Sequence, residues 1–400
     1  MKILMVNKYL YYKGGAETYA LKIGKYLEKL NNQVQYFGMF SKKNVVGNEM
    51  NLYTQEMDFH TTKLQRFLYP FKIIYSFEAK RKLKKIIKKF KPDIIHLNNI
   101  NFQLTPSIIE IAHKMNVPIV QTVHDYQMIC PNHLLYQNNK ICEKCIHGSK
   151  WNCTKFNCIH GSKIKSILGS IESIFYNKIL KTYKKVSLYI CPSKFLESKL
   201  IESNDIYKGK TVTIQNFIEL KNNSICYDKE DYVLFFGRLS EEKGLDIFLK
   251  VCKELPNVNF KIAGTGPLEE KCKNINNVEF VGFKTGKDLE KLIAKAKFSV
   301  YPSVWYENCP LSILESESLG TPVITANYGG MKELVEDDKT GLLVDKIDVD
   351  SLKRSIELLY KNDEKLNIMK ENCIAKRSKM VSIEQYCSQL MEIYKKVIKV

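Results

Sequence analysis

The sequence predicts an α/β protein with two domains, each built on a doubly wound parallel sheet. A chain of 400 residues is long enough for two separate hydrophobic cores. Short apolar runs alternate with helical stretches along its length, as buried parallel strands and their crossover helices do. This alternation stops in a polar stretch after residue 216 and restarts at Tyr232. We therefore predict two α/β domains in succession.

The ranges of the domains and strands follow from this pattern. We predict an N-terminal domain over residues 1–216, a linker over 217–231, a C-terminal domain over 232–380 and a C-terminal amphipathic helix over 381–400. The predicted strands of the first half are 3–7, 34–40, 93–97, 119–123, 188–191 and 212–215. Those of the second half are 232–237, 260–263, 278–281, 298–301, 323–325 and 341–344.

Composition places the chain among ordinary globular proteins. Hydrophobic residues make up 44% and charged residues 26%, and no apolar run approaches the roughly 18 residues that a membrane-spanning helix needs. The apolar run Lys2–Val6 is too short for the core of a signal peptide and is predicted to be the first strand. We therefore expect a cytoplasmic protein. Its twelve cysteines are then expected to be reduced thiols or metal ligands rather than disulfides.

The net charge of +19 comes almost entirely from lysine. Residues 80–91 predict a basic amphipathic helix with an apolar face. A domain helix with a solvated lysine face explains this run. Docking of the lysines on the anionic inner face of the plasma membrane is the functional alternative, and both can hold together. A nucleic-acid-binding protein is less well supported, because arginines are few and no binding motif is recognisable, so we expect no nucleic-acid partner.

Two carboxylates mark a strand–loop–helix unit in the second half. Glu307 lies in a loop after the strand 298–301, and Glu315 lies in the following helix, predicted at about 312–319 and ended by Gly320. Open α/β sheets bind ligands at this end of their strands. Two glutamates at this spacing are by themselves a weak signal, and an acid/base pair of a hydrolase is one interpretation.

Two further strand ends of the second half carry residues suited to a diphosphate. Arg238 and Lys243 follow the strand 232–237, where an arginine fork, a lysine charge and free helix amides would favour an anion. Gly264 and Gly266 follow the strand 260–263 and would allow close backbone approach. A surface turn explains each motif equally well alone. Together with Glu307 they outline a nucleotide-sugar site, in which the carboxylates accept hydrogen bonds from sugar hydroxyls.

The order of these motifs resembles glycosyltransferase family 4 over residues 1 to about 395. The resemblance is carried by Gly14-Gly15, His124-Asp125, Gly237-Arg238 with Lys243-Gly244, Gly264-x-Gly266-Pro267, Glu307-x7-Glu315 and Gly320-Thr321-Pro322-Val323. It implies the GT-B fold, in which two Rossmann-like domains face each other and the C-terminal helix returns to the N-terminal domain. It also implies that the N-terminal domain serves the acceptor and the C-terminal domain the nucleotide-sugar donor.

The family pattern implies a role for each matching position. Arg238 and Lys243 would hold the donor diphosphate, Glu307 the transferred sugar and Glu315 the ribose, with Gly264 and Gly266 beside the nucleotide. Gly14 and Gly15 would let the N-terminal loop approach the reacting centre. Asn308, Cys309 and Pro310 stand where many relatives have Gly-Phe-Gly, which would alter how the donor sugar is held, and Leu311 follows them in the predicted donor-binding loop.

The resemblance also implies an activity. Relatives transfer a sugar from a UDP- or GDP-sugar with retention of anomeric configuration and without a catalytic metal, often to lipid-linked acceptors. We therefore expect a hexosyl-type transferase of bacterial surface-polysaccharide biosynthesis, such as that of capsule or lipopolysaccharide. A GT-B phosphorylase or synthase of storage glucan is the alternative within enzymes. A nicotinamide-dependent oxidoreductase is less well supported, because Gly264-x-Gly266 lacks the third glycine of the fingerprint.

Two histidines end strands of the first half. His124 follows the strand 119–123, and a histidine there can donate to a sugar hydroxyl. A structural histidine is the more common interpretation of such a residue alone, and the family match reverses that preference. We predict His124 to be an active-site residue without assigning it as general base. His96 at another strand end is a weaker candidate for acceptor binding.

A cysteine-rich insertion follows His124 over residues 126–165. Its thiols at Cys142, Cys145, Cys153 and Cys158 form two close pairs, which could supply a tetrahedral structural zinc site. The spacing is shorter than in most zinc ribbons, so ordinary buried or free thiols are an equal alternative.

Overall fold

The computed structural model describes residues 1–56, 72–219 and 228–399. It divides into two compact units. Unit 1 comprises residues 1–135, 142–215 and 383–400, and unit 2 comprises residues 136–141 and 216–382. Residues 220–227 of the predicted linker, and the last residue of the C-terminal helix prediction, lie outside the described part.

The sheet of unit 1 has six parallel strands in the order β2-β1-β3-β4-β7-β8. Strands β3 and β4 are buried along their whole length, which is why they are apolar runs rather than alternating ones. The strands are β1 (Lys2–Val6), β2 (Gln33–Phe37), β3 (Ile94–Leu97), β4 (Ile119–Thr122), β7 (Leu188–Cys191) and β8 (Thr211–Thr213).

Amphipathic helices cover this sheet. Helix α1 buries Tyr19, Ile23 and Leu27 at helical spacing. The C-terminal helix α12 belongs to unit 1, as the family resemblance implied, and contacts α1. The helices of unit 1 are α1 (Gly15–Lys29), α2 (Phe77–Phe90), α3 (Ser107–Lys114), α4 (Asn152–Lys155), α5 (Lys163–Ile174), α6 (Lys194–Ser203) and α12 (Ile383–Ile398). A π-helical turn, Phe175–Ile179, continues α5.

A hairpin within the predicted insertion groups with unit 2 rather than with unit 1. Strands β5 (Tyr136–Gln137) and β6 (Lys140–Ile141) pair antiparallel. The two turn residues, Asn138 and Asn139, have φ of 50° and 58°. Asparagine tolerates this left-handed region, and hairpin turns of this kind require it. The prediction placed the whole insertion in the N-terminal domain and missed this hairpin.

The sheet of unit 2 also has six parallel strands, in the order β11-β10-β9-β12-β13-β14. The strands are β9 (Val233–Phe236), β10 (Phe260–Ala263), β11 (Val278–Gly282), β12 (Phe298–Tyr301), β13 (Val323–Ala326) and β14 (Gly341–Val344). The helices are α7 (Leu245–Glu254), α8 (Gly286–Lys295), α9 (Leu311–Ser318), α10 (Val349–Tyr360) and α11 (Asp363–Arg377). One face of the sheet packs on α7, α9 and α10 in a continuous core.

The predicted doubly wound α/β architecture is confirmed in both units. The main difference in strand length is the prediction 34–40, because β2 ends at Phe37. A Cβ at Gly38 would lie 2.4 Å from the carbonyl oxygen of Asn7, so the backbone passes close to the end of β1 there. None of the helices in the described ranges combines the length and apolar character needed to cross a membrane.

Candidate functional site

The ends of β9 and β12 bring Lys243 and Glu307 together in unit 2. Lys243 ends a 3-10 turn, Glu241–Lys243, that follows β9, and Glu307 lies in the loop between β12 and α9. Nζ of Lys243 lies 2.5 Å from Oε1 of Glu307 and donates to Oη of Tyr301 at 2.7 Å. The predicted cation and carboxylate are therefore one ion pair before any ligand binds.

Oε1 of Glu307 accepts three more hydrogen bonds. They come from the hydroxyls of Tyr301 and Ser303, at 3.1 and 3.0 Å, and from Nε1 of Trp305 at 2.6 Å. The residue is only 7% exposed. A carboxylate oxygen held by this many donors is fixed in orientation.

The electrostatics of the pair keep Lys243 charged. Burial alone would lower the pKa of Lys243, but the Glu307 carboxylate and the Tyr301 hydroxyl outweigh it and raise that pKa above its usual range. Burial, reinforced by Glu307, raises the pKa of Tyr301. Lys243 is therefore a fixed cation and Tyr301 a neutral donor at neutral pH, which argues against an acid/base role for Glu307.

Arg238 lies at the same end of β9 and is 62% exposed in its side chain. Its guanidinium pairs with Glu242, and Nε donates to Oγ of Ser240 at 3.3 Å. Burial would raise the pKa of Glu242, but hydrogen bonds from Ser240 and Arg238 outweigh it and lower that pKa. Arg238 thus presents an exposed guanidinium, anchored on one side by a carboxylate.

Close backbone approach explains the glycines of these strand ends. A Cβ at Gly264, whose φ is +146°, would lie 1.9 Å from the carbonyl oxygen of Gly237. A Cβ at Gly266 would lie 2.4 Å from the carbonyl oxygen of Leu239. A Cβ at Gly244 would lie 1.8 Å from the carbonyl oxygen of Pro302. The turns after β9, β10 and β12 are therefore packed directly on one another, which brings the predicted donor motifs into one place.

The loop after Glu307 is supported by glycines that sequence reasoning missed. The amide of Gly330 donates to the carbonyl oxygen of Glu307 at 2.6 Å, and a Cβ at Gly330 would lie 1.6 Å from that of Asn308. Cys309 is buried, and its carbonyl accepts from Nδ2 of Asn216 at 3.0 Å. Burial raises the pKa of Cys309 to about 12, so this thiol is an unreactive packing residue.

The rest of the predicted donor loop leads into α9. Pro310 is the N-terminal cap residue of this helix and Leu311 its first residue. Glu315 lies partly buried one turn further on, as predicted. Glu317, by contrast, is fully buried and pairs with Lys376 at 2.9 Å, so it is a structural carboxylate.

His124 is held as a neutral ring in unit 1. Its Nε2 lies 3.0 Å from Oδ1 of Asn98, and its ring packs edge-on against Tyr19. Burial lowers the pKa of His124 to about 4, although Asp125 partly opposes this. Nε2 must therefore carry the proton that it donates to Asn98, which suits a hydrogen-bonding role.

His96 is a structural residue, contrary to the acceptor-binding hypothesis. It is completely buried, with Nδ1 2.5 Å from Oη of Tyr394 and Nε2 2.8 Å from Oγ1 of Thr122. Thr122 also contacts Oη of Tyr19, which lies 2.5 Å from that of Tyr386. Tyr386 and Tyr394 both lie on α12, so these contacts hold the C-terminal helix in place. Both ring nitrogens of His96 are engaged, one by Tyr394 and one by Thr122.

Gly14 and Gly15 lie at the start of α1. Gly14 is the N-terminal cap and its carbonyl accepts from the amide of Thr18 at 3.0 Å. A Cβ there would lie 3.1 Å from Oε2 of the buried Glu17. Gly14 is extended, with a φ of −161°. Glu17 is a further polar residue at this point that the sequence reasoning did not single out.

The basic helix α2 uses its apolar face internally. Leu83, Ile86, Ile87 and Phe90 are buried, while Lys84, Lys85, Lys88 and Lys89 are exposed. The domain-helix interpretation is therefore correct for the apolar side. The lysines on the opposite side are exposed, and their docking on an anionic membrane stays a prediction.

The predicted zinc ligands do not all lie together. In the described ranges, the group of histidine, cysteine and carboxylate ligand atoms that lie within 4.8 Å of one another is Glu143, His147 and Glu202. The Cys153 thiol donates to Cys158, which raises the pKa of Cys153 and lowers that of Cys158. Zinc binding by Cys142, Cys145, Cys153 and Cys158 stays a prediction.

Comparison with known proteins agrees with this architecture and places the chain among the GT-B glycosyltransferases. Residues 13–222 match the model of Glycosyltransferase Family 4, and residues 216–376 match that of Glycosyl transferases group 1. Since the first match covers more than half of the sequence, the chain belongs to glycosyltransferase family 4. The predicted family and GT-B fold are confirmed.

Two relatives show the range of similarity. An uncharacterized glycosyltransferase of Methanocaldococcus jannaschii is 30% identical over 54% of this chain and 60% of its own length, so the match spans less than two thirds of that protein. The α-1,4-N-acetyl-D-galactosaminyltransferase of Campylobacter jejuni, named for an undecaprenol-linked acceptor, is 26% identical over 81% of this chain and 82% of its own length.

Solved structures support the fold. Sucrose-phosphate synthase from Thermosynechococcus elongatus has a TM-score of 0.73 at 16% identity, covering 100% of this chain and 99% of that one. The Anabaena protein HepE in complex with UDP-glucose has a TM-score of 0.66 at 18% identity, covering 99% and 100%.

Proposed function

We propose that this protein is a retaining hexosyltransferase that moves a sugar from a UDP- or GDP-sugar to a lipid-linked or growing polysaccharide acceptor. The observation that carries the proposal is the buried Lys243–Glu307 pair beside the exposed Arg238, at the strand ends of unit 2. The UDP-glucose held by the Anabaena structure supports the donor class. The undecaprenol-linked acceptor in the name of the Campylobacter relative supports the acceptor class and surface-polysaccharide assembly.

Arg238 and Lys243 bind the diphosphate in this proposal. Arg238 offers a planar fork to phosphate oxygens, and Lys243 is a cation that burial does not neutralise. As the bond from the anomeric carbon to the diphosphate oxygen breaks, negative charge grows on the leaving group, and two fixed cations stabilise it. The reaction then needs no catalytic metal ion, and a chelator leaves the rate unchanged.

Glu307 orients the sugar rather than transferring a proton. Its first oxygen is engaged by four side-chain donors, which fix the carboxylate in an orientation to accept hydrogen bonds from sugar hydroxyls. Glu315, on the first turns of α9, accepts from the ribose. Asn308, Cys309, Pro310 and Leu311 shape the donor-sugar pocket, with Gly264 and Gly266 against the nucleotide.

His124 and the Gly14–Gly15 turn act from unit 1. Because Nε2 of the neutral His124 donates to Asn98, we assign His124 the role of accepting a hydrogen bond from a sugar hydroxyl near the reacting carbon without adding charge, and the Gly14–Gly15 turn that of approaching the donor. A storage-glucan synthase or phosphorylase would use the same donor groups. The acceptor named for the Campylobacter relative favours surface-polysaccharide assembly instead.

Nucleotide binding tests the assignment directly. We expect Arg238→Ala and Lys243→Ala each to weaken UDP or GDP binding, measured by calorimetry, and to lower turnover by about 100-fold, as loss of a transition-state donor does. Lys250→Ala, an exposed lysine of α7, is the matched control. Unchanged binding in both site variants would remove the diphosphate assignment. Nuclear magnetic resonance of the first-formed product tests retention of configuration.

Peripheral attachment to the cytoplasmic face of the membrane is part of the same proposal. The exposed lysines of α2 would be drawn to anionic lipid, because such residues contribute about 1 kcal/mol each near a charged surface. Replacing Lys84, Lys85 and Lys88 by serine should then make vesicle binding less sensitive to salt.

A further inference from the structure

Helix α5 buries its small and polar side and exposes its apolar side. The residues that it buries are small or polar: Ser166, Gly169, Ser170, Glu172 and Ser173. These residues pack on the cysteine-rich insertion. Oγ of Ser170 donates to the carbonyl of Lys150 at 2.9 Å, and Oγ of Ser166 accepts from the amide of Ile159 at 3.0 Å. The inward face of α5 is therefore held by hydrogen bonds and close packing rather than by contacts between large apolar side chains.

The apolar residues of α5 point outward. Ile164 is 72% exposed and Ile171 is 37% exposed, and the π-helical turn that follows adds Ile179 at 65%. Ile167, Leu168 and Ile174 between them are only partly buried. Spacings of three, four and seven residues put all those of α5 on one side of the helix. We name this surface, formed by Ile164, Ile167, Leu168, Ile171, Ile174 and Ile179, the apolar face of α5.

Aromatic contacts extend the apolar face at its C-terminal end. Phe175 contacts Tyr75, with ring centroids 6.3 Å apart, and Tyr75 contacts Phe77 at 4.8 Å. Phe77 begins α2 and is 76% exposed. Single exposed apolar residues are normal, but a contiguous strip of this kind on a globular protein marks a surface that binds something.

The charges around the apolar face of α5 indicate what kind of partner it binds. Lys163, Lys165, Lys178 and Lys181 are exposed along α5 and just after it. Glu172 is the one acidic residue between positions 160 and 185, and it lies on the buried side, where burial raises its pKa to about 8. An exposed apolar strip flanked by cations, on a helix whose one acidic residue is buried, matches the interface of an anionic bilayer.

We propose that the apolar face of α5 inserts into the headgroup region of an anionic membrane while the flanking lysines contact lipid phosphates. This assigns membrane insertion to α5, whereas α2 buries its apolar residues other than Phe77 and contributes mainly charge. The inference deepens the proposed function, on which it rests for the membrane as the place where the acceptor is met.

Vesicle sedimentation of the full chain tests the proposal without any sugar substrate. We expect wild-type protein to pellet with vesicles of phosphatidylcholine and phosphatidylglycerol and much less with phosphatidylcholine alone. The double variant Ile164→Ser/Ile171→Ser should lower partitioning to the anionic vesicles at least about tenfold, since each loses several buried CH₂ groups. Ile368→Ser, at an isoleucine 56% exposed on α11 of unit 2, should bind as wild type does.

Two outcomes would overturn the proposal. One is equal binding of the double variant and the wild type, or no vesicle binding by either. The other is a dimer in solution that the double variant dissociates, which would make a second copy of the chain the partner of the apolar face. Nucleotide binding measured on the same double variant should be unchanged, so failure of the membrane inference and failure of the proposed donor site give different results.

Discussion

Nζ of Lys243 lies 2.5 Å from Oε1 of Glu307, although 64 residues separate them in the chain. The pair joins the turn after β9 to the loop after β12. Hydroxyls of Tyr301 and Ser303 and the indole of Trp305 complete the shell around the same oxygen. In the proposed function, a diphosphate entering this site meets a cation whose position is fixed in advance, so that little reorganisation is needed as charge develops.

Replacement of Glu307 by glutamine tests this preorganisation. Glutamine keeps the size and an acceptor oxygen, but it removes the charge opposite Lys243 and leaves a buried cation without its partner. We expect turnover to fall by about 100-fold and the free energy of unfolding to fall by about 3 kcal/mol. Steady-state kinetics and urea unfolding measure the two effects. Glu270→Gln, at an exposed glutamate, is the control, and a fully active Glu307→Gln enzyme would contradict the role.

Because the turns after β9 and β10 pack directly on each other, we predict that Gly264 does not tolerate a side chain. In Gly264→Ala the new methyl group would meet the carbonyl oxygen of Gly237 at 1.9 Å, at a φ of +146° that only glycine adopts readily. We expect the free energy of unfolding to fall by about 3 kcal/mol or more, from strain and displacement together.

Gly282→Ala separates these two causes. Its φ is +71° but nothing lies within 4 Å of the added carbon, so it carries backbone strain without the clash. The expected loss is about 1 kcal/mol. Equal destabilisation of the two variants in denaturant titrations would show that close packing between the turns contributes nothing.

These residues show what the sequence could and could not predict. Gly237, Arg238, Lys243 and Glu307 are recognisable because strand ends with such residues recur in a fixed order. The partners of Glu307 were not recognisable, because a hydrogen bond from Trp305 depends on side-chain direction within an irregular loop. Gly330 was missed for the same reason, since its packing against Asn308 joins two separate loops.

His96 and His124 show the same limit of sequence-based prediction in the first half of the chain. Both end buried strands, and the pattern cannot tell which of them faces a ligand. The structure shows His96 enclosed by Tyr394 and Thr122, an arrangement that depends on where the C-terminal helix returns. In α5, the reversed amphipathic pattern gives no sign of which face is buried, because standard periodicity would place its isoleucines in the core.

His96 also predicts a loss of stability in acid. Burial lowers its pKa to about 3 in the folded chain, against about 6.5 when unfolded. The unfolded state therefore binds the proton first, so stability is full above pH 6.5 and decreases as the pH falls toward 3. This residue alone contributes a loss of about 2 kcal/mol between pH 6.5 and 5. His124 and His133, with pKa values lowered to about 4 by burial, add to it.

The variant His96→Gln isolates that contribution. The free energy of unfolding, measured by urea titration at several pH values, should fall less steeply with acid than in the wild type. Tyr394→Phe removes the hydroxyl but keeps the imidazole, so it should be less stable at every pH while retaining the steep dependence. Identical slopes for His96→Gln and wild type would be inconsistent with a buried neutral ring.

Metal analysis tests the remaining prediction for the insertion. The zinc hypothesis, which ordinary thiols oppose as an equal alternative, requires near-stoichiometric zinc in purified protein and its loss in Cys145→Ser/Cys153→Ser, because structural zinc needs four ligands. Cys272→Ser, which removes a buried thiol of unit 2, should keep the metal. Absence of zinc from the wild-type protein would leave Cys145 and Cys153 as packing residues, consistent with the burial that raises the pKa of Cys145 to about 12.

The neutral state of His124 predicts the pH dependence of activity. Because burial lowers its pKa to about 4, the ring keeps its neutral form throughout the range in which an ordinary histidine would gain a proton. We expect turnover to be flat from pH 8 to about 6 and to show no inflection at 6.5. His124→Asn should lower turnover by about 100-fold at pH 7.5, since the imidazole is lost from the reacting centre. His160→Gln, at an exposed histidine, is the control, and an acidic limb centred at 6.5 that disappears in His124→Asn would show that the ring titrates normally.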